Sequence, residues 1–138
     1  VAGVGSAWLA ALARGDRGIR AGDYTAASRG YREGLEAFVR AGASDADPDV
    51  RLNLRVAHYN LASVLAVASS GRTTPLAEPA RLPETEAAAL RYQAFAHLDD
   101  AVRLGWSDAE ALAQDRDLRL LRDDSRWAAL LEAVRRPR

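Results

Sequence analysis

The sequence predicts an all-α fold, and three observations carry that expectation. The 138 residues include 30 alanines and 18 leucines, against nine valines and one isoleucine. Alanine and leucine are good helix formers, whereas β-branched residues favour strands. Apolar residues recur at spacings of three and four, as in Tyr24, Ala27, Tyr31, Leu35 and Phe38, which places them on one face of a helix. No segment alternates apolar and polar residues over a strand's length, and no hairpin turn joins two such segments. The length fits one domain with one core.

Each element can be justified in turn. Ser6 is placed to cap a first helix carrying Ala7, Leu9, Leu12 and Ile19. Gly15 and Gly18 lie inside it, and each costs about 1 kcal/mol relative to alanine, so a close neighbouring helix is expected there. Gly22 ends this helix and Asp23 caps the second, which runs to about residue 41. Asp47-Pro48 is a strong start, a capping carboxylate followed by proline in the first turn. The third helix then runs to about Ser69, through Leu52, Val56, Tyr59, Leu61, Val64 and Leu65. Residues 72–82 contain Pro75 and Pro79 and read as an irregular, mobile loop. Pro83 opens a fourth helix that stops at Gly105. Ser107 with Glu110 reads as a capping box for a short fifth helix. Leu118 and Leu121 mark another helical turn. Asp124 caps a last helix with Trp127, Leu130, Leu131 and Val134 on one face.

Composition also narrows function. All 19 basic residues are arginine, and 19 acidic residues balance them. A nucleic-acid binder carries a basic excess or stripe, and none is visible. The one basic cluster, Arg135-Arg136-Pro137-Arg138, reads as a frayed tail. The lysine-free, alanine- and arginine-rich make-up points to a GC-rich bacterial genome. Without cysteine there is no disulfide framework and no thiolate metal site. No apolar run approaches the roughly 20 residues that span a bilayer, so membrane insertion is not expected. The opening Val1-Ala2-Gly3-Val4-Gly5-Ser6-Ala7 is small and apolar, as around a signal-peptide cleavage site. It equally suits a boundary within a longer chain, which leaves bacterial cytoplasm and periplasm both open.

The stretch Gly15-x6-Gly22-Asp23-Tyr24-x2-Ala27-x3-Tyr31-x2-Gly34-Leu35 resembles a tetratricopeptide repeat. Gly34 stands where that family prefers alanine, and Gly18 where it prefers an aromatic; both allow closer helix contact. Ala57-His58-Tyr59-Asn60-Leu61-Ala62 is similar to the family's first-helix core, and Ala94-x3-Leu98-x2-Ala101-Val102 to its second helix. Ala62 and Ala94 lie 32 residues apart, where about 12 is usual in such a repeat, so about 20 residues are inserted. The end, Asp115-x-Asp117-Leu118-x2-Leu121-Arg122-x-Asp124-x-Arg126-Trp127, resembles the closing motif of many bacterial members, with Ser125 replacing a proline.

The resemblance implies a single domain over residues 6–134. Its parts are a first unit at 6–41, a second at 48–104 with the inserted loop 72–82, and a C-terminal cap at 106–134. It implies antiparallel helix pairs stacked as a short right-handed superhelix, with a groove that binds a protein or peptide partner. Leu12, Asp16, Arg20, Tyr59, Asn60, Ser63 and Val67 fall on groove positions, beside Leu9, Ala13, Ile19, Val56 and Ala66. Asn60 matches a position where some chaperone-binding members place an asparagine against a peptide backbone or terminal carboxylate. Those members also need lysine, and Asp16 stands where their second asparagine would be, so such a clamp is not expected.

The expected role is therefore a protein-binding adaptor. Two alternatives stand beside it: an accessory domain of a larger hydrolase, exported or not, and a structural domain that self-associates. No nucleophile elbow or phosphate loop is present, and no catalytic residue, cofactor or metal is expected. His58 and His97 read singly, as edge or surface histidines. Asp115 and Asp117 lack the further ligands of a calcium loop and read as caps paired with arginine. Trp106 and Trp127 read as core residues between the cap and the second unit, with Trp127 against Leu112, Leu118 or Leu121. Arg116, Arg119, Arg122, Asp123 and Asp124 suit the cap's polar outer face.

Overall fold

Six α-helices and one 3-10 helix lie within the described residues, in a computed structural model that describes the backbone of residues 2–137 and the side chains of 7–137. They are α1 (Ala2–Ala21), α2 (Tyr24–Arg40), α3 (Pro48–Ala68), α4 (Glu84–Arg103), α5 (Ala109–Gln114), the 3-10 helix η1 (Arg116–Leu121) and α6 (Arg126–Arg135). No strand occurs among the described residues.

Most boundaries follow from local chemistry. The Asp23 carboxylate accepts from the Ala26 N–H and starts α2. Asp47 accepts from the Asp49 and Val50 N–H groups and starts α3, with Pro48 next. Gly22 and Gly105 leave their helices at φ of 72° and 110°, where a side chain would be strained. Three starts differ from expectation. α1 begins at Ala2, so Ser6 lies within the helix, and its side chain is outside the described residues. Asp108, not Ser107, caps α5 by accepting from Ala111 N–H, because the helix starts at Ala109 and places Asp108 at the cap. Ser125 occupies the cap position of α6 without a side-chain bond, while Asp124 accepts from the Arg126 N–H and guanidinium.

α1 and α2 are antiparallel: Gly18 meets Ala27, Gly15 meets Gly30 and Tyr31, Leu12 meets Gly34, and Trp8 meets Phe38. The contact is a seam of glycines. A Cβ on Gly30 would lie 2.5 Å from the Gly15 nitrogen, and one on Gly18 2.6 Å from the Ala27 nitrogen. Trp8 is buried, edge-on to Phe38 at 5.1 Å. α3 and α4 are likewise antiparallel. Arg51 and Arg55 at the start of α3 donate to the Arg103 and Leu104 carbonyls at the end of α4, and His58 faces His97.

α3 is the central element. All seven residues 61–67 are buried, as a helix covered on every side requires. α2, α4 and η1 all pack on it. Asp115 caps η1 by accepting from the Asp117 N–H, as expected, while tyrosines take the place of the expected arginine partners of Asp115 and Asp117. Tyr59 of α3 donates to Asp115 at 2.7 Å, and Tyr24 of α2 donates to Asp117 at 3.0 Å. Trp106 stacks on Tyr59 at 4.1 Å and donates to the Asp108 carbonyl. Trp127 is buried in the same apolar cluster as Leu112, Leu118 and Leu121. Arg122 turns inward, not outward: its guanidinium donates to the Leu112 and Asp115 carbonyls and lies over the Trp127 ring.

The inserted segment is irregular, as its prolines predict, but it is anchored. Ala80 N–H donates to the Gly71 carbonyl at 2.9 Å, closing the loop at its stem. Leu82 and Arg72 line a cleft of about 350 Å³ against α2, α3 and α4, while Leu76 at the tip is exposed.

Candidate functional site

Leu9, Ala13, Asp16 and Arg20 succeed one another at three- and four-residue steps on α1, and Leu52, Val56 and Asn60 do so on α3, so each set forms one stripe. A side chain from α2 joins the stripes. Tyr31 is fully buried against Gly15. Its hydroxyl donates to Asp16 Oδ1 at 2.6 Å and accepts from Asn60 Nδ2 at 3.1 Å. Asp16 of α1 and Asn60 of α3 are thereby held on one oxygen. Burial, then the bond to Asp16, keep the Tyr31 phenol above its usual range; Asn60 and the nearby Arg20 act the other way. The hydroxyl therefore stays protonated and the bridge fixed.

Apolar side chains flank this bridge. Leu9, Leu52 and Val56 are 44%, 46% and 37% exposed, more than core helices leave open. Leu52, Arg55 and Val56 share a shallow depression with Trp106, Asp108 and Ala111. One end of the surface is thus closed by the cap.

The seven expected groove residues separate into two sets. Asp16 and Asn60 are half-buried and Arg20 is exposed, and the three come together around Tyr31. Leu12 is buried where it packs on Gly34 of α2. Tyr59, Ser63 and Val67 are buried as well. Tyr59 lies under Trp106, and Val67 borders Arg116, Asp117 and Leu120 of η1. Residues 106–120 therefore cover the expected groove at Tyr59 and Val67. The sequence could not show this, because nothing local to Ser63 or Val67 identifies what will cover them.

A second cluster lies at the α3–α4 interface. The Nδ1 atoms of His58 and His97 are 2.9 Å apart, and an Asp100 oxygen is 3.8 Å from His58 Nδ1. Burial is the main cause holding both imidazoles below their usual pKa, with His58 lowered to about 4. Asp100 opposes that shift at both rings, while Arg103 reinforces it at His58 and Arg32 at His97. Asp100 follows His97 by three residues, a spacing legible in the sequence; the approach of His58 is not.

The described residues form an all-α protein in which the antiparallel pairs α1–α2 and α3–α4 are followed by α5, η1 and α6. No family profile, no curated protein and no solved structure matches the chain.

Proposed function

We propose that the chain is a short tetratricopeptide-type array that holds an extended segment of another protein, and is not an enzyme. In this reading α1, α3 and the α5–η1 segment form the inner row of a right-handed stack, and α2, α4 and α6 the outer row. Three contacts support it: α2 packs on α3, Arg32 of α2 donates to Gln93 of α4, and α6 packs on α4. The observation that carries the reading is the Asp16–Tyr31–Asn60 bridge flanked by exposed Leu9, Leu52 and Val56. Asn60 keeps an amide hydrogen and its carbonyl oxygen beyond its bond to Tyr31, and a peptide backbone offers the matching groups. The flanking residues suit an apolar side chain on that peptide. The surface is short, so affinity for an isolated peptide is weak.

Selection of peptides from a random library against the chain tests this reading. Enriched peptides should bind wild type and lose about ten-fold or more in affinity on Val56→Glu or Asn60→Ala, with the melting temperature little changed. Failure to enrich any peptide, or equal binding to both variants, would overturn it.

A further inference from the structure

His58, His97 and Asp100 have no part in the bridged surface. His58 lies about 200° around α3 from both Val56 and Asn60 at 100° per residue, on the side that faces α4. From this geometry we infer that His58, His97 and Asp100 form a binding site for a divalent transition cation of the zinc class, which staples α3 to α4.

The donor set is the first argument. Two imidazoles with one carboxylate are ligands that borderline cations take, whereas magnesium and calcium favour all-oxygen shells. The distances are the second. Zinc binds nitrogen and oxygen at about 2.0–2.2 Å, so two ligand atoms in tetrahedral positions lie about 3.3–3.5 Å apart. The observed separations of 2.9 and 3.8 Å straddle that value, and all three ligand atoms lie within 4.8 Å of one another. Side-chain adjustments on the order of 1 Å would bring the three atoms to that spacing. The protonation state of the pair fits as well. Nδ1 atoms at 2.9 Å require one ring to donate and the other to accept, so at least one nitrogen already presents a lone pair. Metal binding would displace the shared proton to solvent.

The surroundings fix the site's character. The His58 side chain is 13% exposed and that of Asp100 43% exposed, so the pair is sheltered while the carboxylate borders water. Three protein ligands leave a coordination position for water on that side. Asp100 Oδ1 lies 3.6 Å from Arg103 Nε, and Arg103 also pairs with Asp45 at 3.5 Å. This orients the carboxylate, as outer partners of metal ligands do. Arg32 and Arg103 make the environment positive, which selects against cations held by charge alone and leaves affinity to the imidazoles.

The test uses the whole chain, free of any affinity tag and stripped with chelator. Zinc chloride is titrated by calorimetry and cobalt(II) by visible absorption, against wild type, His97→Gln and Asp100→Asn. Circular dichroism checks the fold of each variant. The expected result is one ion per chain, a rise in melting temperature with zinc, and no competition from magnesium or calcium. Losing a bound partner of a ligand typically weakens metal affinity about 10- to 100-fold; losing a ligand itself should cost at least ten-fold in each variant. If His97→Gln does not fold, Asp100→Asn alone decides, since its side chain is the more exposed. No zinc binding by wild type at millimolar concentration would overturn the inference. So would binding retained in the folded variants, which would locate the ion on other acidic side chains.

Discussion

At the scale of single residues, the polar groups that matter share interfaces. Tyr31, Tyr59 and Tyr24 each carry a hydroxyl to a carboxylate on another element. Buried hydroxyls are costly unless bonded, and these bonds also set where α1 and η1 sit. The His58–His97 pair makes a prediction of its own. The His58 pKa falls from 6.5 to about 4 in the folded chain, and that of His97 also falls. Between those values the unfolded chain binds more protons than the folded one, so stability falls as pH falls. In chelator, the pair's contribution should be complete above about pH 6.5 and lost as pH drops towards 4. Asp99 and Asp117 have raised pKa values and act in the opposite sense. The check is therefore the difference between wild type and a His58→Gln, His97→Gln double variant. Thermal melts from pH 7.5 to 4 should converge towards acid; parallel curves would show that the pair does not titrate on unfolding.

Elements show where sequence reasoning reached and where it stopped. Asp23, Asp47 and the glycine stops were legible because a cap acts within three or four residues of itself. The close α1–α2 contact was legible too, since glycines inside a helix need a neighbour. Asp16 and Asn60 were placed by spacing within the repeat-like pattern. Burial of Tyr59 and Val67 was not readable, because Trp106 and η1 residues lie beside them. The histidine cluster escaped for the same reason: it depends on the register of α3 against α4 across residues 69–83. Two predictions belong here. Gly30→Ala would gain helix propensity of up to about 1 kcal/mol, yet its Cβ would meet backbone at 2.5 Å. Overpacking of this kind costs about 1–3 kcal/mol, so the variant should be destabilised in urea. A more stable variant would mean that the seam opens freely. In the loop, the Gly71–Ala80 bond already brings the ends together. Replacing residues 73–78 with Gly-Gly keeps Arg72, Ala80 and Leu82, and should change stability by no more than about 0.5 kcal/mol. A larger loss in the same urea assay would show that the exposed tip supports the cleft.

For the molecule as a whole, the cap closes the core at one end. Trp127 shares the apolar cluster with Leu118, Leu121 and α3 residues. Trp127→Ala should cost about 3–5 kcal/mol, a large part of the roughly 5–15 kcal/mol expected for such a domain. The glycine seam, by contrast, is local: it joins residues from Trp8–Phe38 to Gly18–Ala27. The cap's bonds reach back from Asp115 to Tyr59 and from Asp117 to Tyr24, 56 and 93 positions along the chain. Local contacts close at small entropic cost and distant ones at greater cost, so the order of assembly follows from the wiring. The α1–α2 hairpin is expected to form early and the cap to dock last. Stopped-flow kinetics should then show Gly30→Ala slowing refolding, while Trp127→Ala leaves refolding nearly unchanged and accelerates unfolding. The reverse pattern would make the cap the nucleus. In a growing chain the same order lets the first pair fold before the residues that close the core have been made.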